Sequence, residues 1–174
     1  MRRFIFAVFV MLIWASVAAA ETDQAKIQRA LSAAPEWLKT GATVVEMDMH
    51  GKQTILRPGT NGFTCVPGTP GVIGDDAMCM DAQGMVWVKS LMAHAAKPAN
   101  TAPAVIYMLN GGTVYSDSDP YATAGKPITD PPHWMIMWPF DSKTSGLPDS
   151  RVAAGTWIMW AGTPYAHLMI LQKP

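Results

Sequence analysis

"AVIYMLNGG", residues 104–112, decides the fold class. Six apolar or aromatic residues run together, with β-branched Val105 and Ile106 among them, and Asn110-Gly111-Gly112 ends the run with a turn signal. A run of this length bounded by a turn reads as a buried strand. From here to the C-terminus the β pattern repeats. Residues 135–138, 156–161 and 165–171 read as further strands, and "IMW" occurs in two of them. Long polar loops separate them, "SDSDPYATAGKPITDPP" at 116–132 and "DSKTSGLPDSRVAAG" at 141–155.

Before residue 104 the helical period dominates. Thr22 is placed to cap a helix whose apolar positions are Ile27, Ala30, Leu31 and Ala34, at a spacing of 3 or 4. Pro35 interrupts it, and Ser32 is placed to cap a second short turn carrying Trp37 and Leu38. Residues 43–49 and 53–57, joined at His50-Gly51, read as a hairpin. Asp81 is placed to cap a third helix with Met85, Val88, Leu91, Met92 and Ala95 toward the core. Gly84 lies inside that helix, where glycine costs about 1 kcal/mol relative to alanine. The expected class is α+β. Two or three short helices in the N-terminal half pack on a mainly antiparallel sheet formed largely by the C-terminal half.

The N-terminus reads as an address. Arg2 and Arg3 precede an apolar stretch over residues 4–17, and Ala18, Ala19 and Ala20 supply the small residues a signal peptidase needs. The stretch is short for a membrane span, which takes about 20 residues. The expected organisation is a signal peptide at 1–20 and one domain at 21–174, exported to a periplasm or out of the cell. After cleavage eleven basic residues face thirteen acidic ones, with no basic run anywhere. Phosphate binding needs clustered Lys and Arg, so nucleic acid is not the expected partner. No later segment is long and apolar enough to hold the chain in a bilayer. Cys65 and Cys79 flank a segment with Pro67, Gly68, Pro70, Gly71 and Gly74. In an oxidising compartment this pair reads as a disulfide. Two lone cysteines at this spacing match no zinc pattern.

"LRPGTNGFTCVPG", "AMCMD", "YMLNGG", "SDSDPYA" and "WAGTPYAHLMI" together resemble an uncharacterised family of small secreted bacterial proteins. The resemblance covers residues 42–174 and implies a signal peptide followed by one small domain. It brings no activity with it.

Methionine is the compositional outlier, at 13 residues. Several alternate, as at Met47/Met49, Met78/Met80 and Met135/Met137, and alternate residues share a strand face. Two His-x-Met steps, His133–Met135 and His167–Met169, therefore offer imidazole and thioether on one face each, a donor set that suits Cu(I). Against this stands methionine as an adaptable core filler. In "SDSDPY" the carboxylates of Asp117 and Asp119 read as turn formers ahead of calcium ligands, because the EF-hand pattern is absent. A hydrolase can be sketched from His133 or His167 with Ser116, Asp117 or Asp119. No nucleophile elbow, HExxH or phosphate loop supports it. The six mature tryptophans read first as core. The sequence thus points to an exported binding or interaction module ahead of an enzyme. A copper-binding protein using His133, Met135, His167 and Met169 is the alternative, and a hydrolase of unknown substrate comes after it.

Overall fold

The structure is a computed structural model and describes residues 20–48, 50–152 and 155–172. Residues 1–19 of the proposed signal peptide and Met49 lie outside the described residues. Among the described residues no helix is long and apolar enough to cross a membrane.

Helix α1 (Asp23–Ser32) starts where Thr22 Oγ1 accepts the Ala25 N–H, and it buries Ala30 and Leu31. Helix α2 (Glu36–Lys39) buries Leu38. Its N-cap is Pro35, which makes no side-chain cap; Ser32 instead closes α1, with its hydroxyl donating to the Arg29 carbonyl. Strands β1 (Thr43–Met47) and β2 (Gln53–Arg57) form the expected hairpin, with Gly51 at φ +77° in its turn. Two three-residue strands follow, β3 (Thr64–Val66) and β4 (Met78–Met80). Helix α3 (Ala82–Met92) is capped by Asp81, whose Oδ1 accepts the Gly84 N–H at 2.7 Å. The second half supplies β5 (Ala104–Met108), β6 (Gly112–Val114), β7 (Ile128–Asp130), β8 (His133–Met137), helix α4 (Ser142–Ser145), β9 (Thr156–Met159) and β10 (His167–Leu171).

Eight strands form one sheet in the order β2-β1-β3-β4-β5-β8-β10-β9, and β6 and β7 pair separately. Every neighbour pair in the large sheet is antiparallel except β1 with β3. The class is therefore α+β with the sheet dominant. The sheet is not built largely from the C-terminal half: β1 to β4 make up half of it. The strands around the two cysteines are three residues long, too short to show a period of two, so the sequence hides them. A fourth helix, α4, also lies in the second half.

Pairing through Cys65↔Cys79, Tyr107 and Trp134 defines one face of the sheet, and pairing through Met80, Ile106 and Met135 defines the other. Helix α1 packs on the first face, over Val44 and the Cys65–Cys79 disulfide. Helix α3 packs on the second. Gly84 explains its own presence there. A Cβ at that position would lie 2.9 Å from Met80 Cβ and 3.2 Å from Ile106 Cγ1, so glycine lets α3 sit close on β4 and β5.

Candidate functional site

The face under α3 is a methionine surface. Met80, Met108, Met135, Met137, Met159 and Met169 are buried on it, with Trp87, Val88, Trp157, Trp160 and Tyr165. Packing is incomplete. A cavity of about 720 Å³ lies between the sheet and α3, lined mostly by apolar groups. Unbranched thioether side chains suit a wall of this kind because they fill irregular space and repack cheaply.

His133 and His167 both line the cavity and both are buried. Each donates its Nδ1–H to the carbonyl two residues back, His133 to Pro131 at 2.7 Å and His167 to Tyr165 at 3.0 Å. A carbonyl only accepts, so Nδ1 carries the proton and Nε2 keeps the lone pair. Burial pushes both imidazoles down, His167 to about 4, so both are neutral at pH 7.

The register fixes where the His-x-Met steps stand. Met169 is the direct partner of Met135, while His133 pairs with Leu171 at the far end of β10. All four residues of the two steps therefore share one face and one cavity. The histidines are four register positions apart, roughly 13 Å along the strands at ~3.3 Å per residue, so one ion cannot bridge them. Around His167 the neighbours are different from those the sequence pattern suggested. Met159 is its partner on β9, and continuing the β8 register from Leu168↔Ile136 places Met137 beside it on the other side.

The end near His133 is polar. Asp76, Asp130 and His133 line it, and among the described residues no lysine or arginine lines the cavity. Asp76 Oδ2 accepts the Thr113 N–H at 2.7 Å, and burial raises its carboxyl above the usual range. Among the described residues it makes no ion pair. Asp130 is nearly sealed off, and burial raises it too. Its Oδ1 lies 2.7 Å from Arg151 Nη2, an ion pair by distance in which the oxygen sits off the line of an N–H.

The other end is closed by aromatic rings. Trp87 and Trp160 stack at 6.0 Å, and the His167 ring stands edge-on to them at 5.5 and 4.9 Å. Trp160 adopts φ +55°, a left-handed backbone that costs a bulky residue about 1–3 kcal/mol. The "SDSDPY" loop holds it there. Ser116 O accepts its indole N–H at 3.0 Å, and Asp117 O accepts its backbone N–H at 2.8 Å. The loop is a turn in its own right: Ser116 Oγ accepts the N–H groups of Ser118 and Asp119, and Asp119 Oδ1 accepts that of Tyr121. The Asp117 carboxylate is forked onto Arg151, at 2.8 and 3.0 Å. Ser116, Asp117 and Asp119 thus spend their oxygens on the loop and on Arg151, and none hydrogen-bonds either histidine. Among the described residues no three His, Cys, Asp or Glu side chains gather as a metal cage.

Sequence reasoning reached the histidines and methionines but passed over Asp76, Asp130, Arg151 and the strain at Trp160. Asp130 and Arg151 sit in segments that read as featureless loops, and their pairing is long-range. On the opposite face of the sheet the tryptophan question has a different answer. Trp37 is 70% exposed and stands edge-on to Phe63 and Tyr107, and Tyr107 in turn neighbours Trp134 at 6.4 Å, so these rings form a surface row.

Comparison with known proteins adds no relative: no family model matches the chain, and no curated protein and no solved structure matches it.

Proposed function

We propose that this is an exported, non-enzymatic binding protein whose ligand occupies the cavity under α3, an apolar molecule with one cationic or hydrogen-bond-donating end. The cavity carries the reading. Its volume of about 720 Å³ falls in the range of small-molecule sites, ~300–1,000 Å³, and it combines an apolar wall with a few convergent polar groups. Among the described residues its charged lining is all carboxylate, with neutral imidazoles and the hydroxyls of Thr69 and Thr113 beside it, so an anionic head would meet repulsion. Asp76, half-buried and without an ion-pair partner among the described residues, is the group that would receive the head. The strained Trp160 supports the same reading, since strain of this kind persists where a surrounding site over-determines it. Export rests on the basic and apolar N-terminus, and the disulfide is consistent with it.

Titration with decylamine and with decanoate tests the proposal. The two share a tail and differ in the sign of the head. The amine should quench the fluorescence of the cavity tryptophans saturably, the carboxylate should not, and Asp76→Asn should weaken the amine selectively. Equal response to both ligands, or to neither, would overturn it.

A further inference from the structure

The row of side chains that crosses β8, β10 and β9 at His167 has a chemistry of its own. His167 and Met159 are direct partners on β10 and β9, and continuing the β8 register by one position from Leu168↔Ile136 places Met137 on the other side of His167; each is at most 3% exposed and lines the cavity. Neighbouring strands lie ~4.8 Å apart, which brings the thioethers of two long, unbranched side chains within reach of the imidazole between them. The next position in the row is Ala104 on β5, the partner of Met137, whose small side chain leaves space on that side.

From this row we infer a Cu(I) site made by His167 Nε2 and the sulfur atoms of Met137 and Met159. The hydrogen bond from Nδ1 to the Tyr165 carbonyl orients the ring and leaves Nε2 as the donor nitrogen. A fixed outer partner of this kind is what metal-ligating histidines have. One imidazole and two thioethers are soft, neutral donors, which select Cu(I) over zinc or harder divalent cations. Harder ions find no cage among the described residues. The bound charge is +1 with neutral ligands, and the carboxylates elsewhere in the cavity lining favour entry of a cation. Trp160 and Trp87 shield the imidazole, which keeps water and oxidants off the site. Neither thioether belongs to a His-x-Met step, and His133 is not a ligand. It stands apart from the amine reading, which depends on Asp76 at the far end of the cavity.

The test is an anaerobic titration of the purified, disulfide-bonded protein with Cu(I), buffered by bicinchoninate and with ascorbate as reductant. Met137→Leu/Met159→Leu removes both sulfur atoms at nearly constant volume, a change that cores tolerate. Met80→Leu/Met108→Leu makes the same change away from the row and serves as control. Near-UV circular dichroism checks that each variant is folded. The expected result is one ion bound per chain, affinity lower by about tenfold or more in the row variant, and wild-type affinity in the control. No binding by the wild type, wild-type affinity in the row variant, or equal losses in both variants would overturn the site. Decylamine binding, measured on the copper-free protein, stands or falls independently of all three results.

Discussion

His133 and His167 stand on adjacent antiparallel strands, face the same cavity and repeat the same Nδ1–H to carbonyl bond, yet they sit at opposite ends of the paired segment. They share no hydrogen-bond partner. The charge repulsion between the two rings is absent at pH 7, where both are neutral, and residues more than ~10 Å apart without shared partners then act nearly independently. The stability losses of His133→Gln and His167→Gln should therefore add to within ~0.5 kcal/mol in the double variant, measured by urea unfolding at pH 7. A coupling well above that would mean that the two rings belong to one unit.

The pH dependence of stability should carry a signature of His167. Its folded value is about 4, below the ordinary 6.5, because burial disfavours the charged ring. A depressed folded value means that the unfolded chain takes the proton first. The contribution of the neutral ring is complete above pH 6.5 and is lost as pH falls toward 4. At ~1.4 kcal/mol per pH unit the loss is about 3 kcal/mol. His133 shifts in the same direction for the same reason. The gap in stability between wild type and His167→Gln should narrow across that window. Parallel curves would show that His167 does not titrate as its burial requires.

Gly84→Ala sets two effects against each other. Alanine gains about 1 kcal/mol of helix propensity over glycine. The added methyl group would meet Met80 Cβ at 2.9 Å and Ile106 Cγ1 at 3.2 Å, both on the sheet under α3. Overpacking of a fitted contact costs about 1–3 kcal/mol. Net destabilisation of about 1 kcal/mol is expected by chemical unfolding, and a stabilised variant would show that α3 can lift off the sheet at no cost.

Helices α1 to α3 and the last strands were legible because each carries a local signal: Thr22 and Asp81 cap, Ile27 to Ala34 repeats with the helical period, and "AVIYML" reads as a buried strand; α4, four polar residues inside a segment that reads as a loop, was not. β3 and β4 were not, because a three-residue strand exists only through its neighbours. For the site, alternation in the sequence gave the correct face for every one of the four His-x-Met residues. It could not give register. A shift along the strand leaves the pattern of faces unchanged every two residues, so the row Met137–His167–Met159 becomes visible only when the strands are aligned. Asp76, Asp130 and Arg151 had no local pattern at all, since ion pairs between distant loops leave no periodicity.

The disulfide joins Cys65 and Cys79, which are paired residues of β3 and β4. Closing a loop of about 15 residues restricts the unfolded chain by about 3 kcal/mol in the chain-entropy account. Cys65→Ala/Cys79→Ala should lower unfolding stability by about that amount, and reduction of the intact protein should add the mass of two hydrogens. Two thiols free to react in the unreduced, denatured protein would contradict the bond.

Arg151 links the two ends of the cavity, and its removal tests that link. It forks onto Asp117 in the loop that holds Trp160, and it lies 2.7 Å from Asp130 at the polar end. Removing it strands a buried carboxylate. Losing one partner of a buried pair costs about 3–5 kcal/mol, because the other charge stays desolvated. Arg151 is itself partly open to solvent, so a loss toward the lower end of that range is expected for Arg151→Met at pH 7. The sign of the pH effect is distinctive. Burial already raises the folded value of Asp130 above 3.8, and loss of the guanidinium must raise it further. A raised carboxylate contributes stability below its unfolded value and loses it as pH rises. Measured against wild type, which loses stability through His167 in the same window, Arg151→Met should therefore recover part of its deficit as the solution is acidified and Asp130 takes up its proton. Arg151→Met/Asp130→Asn should be more stable at pH 7 than the single variant and should lack the recovery. If the single variant falls equally at every pH, the damage lies in the Asp117 fork and the loop around Trp160, and Asp130 plays no part in it.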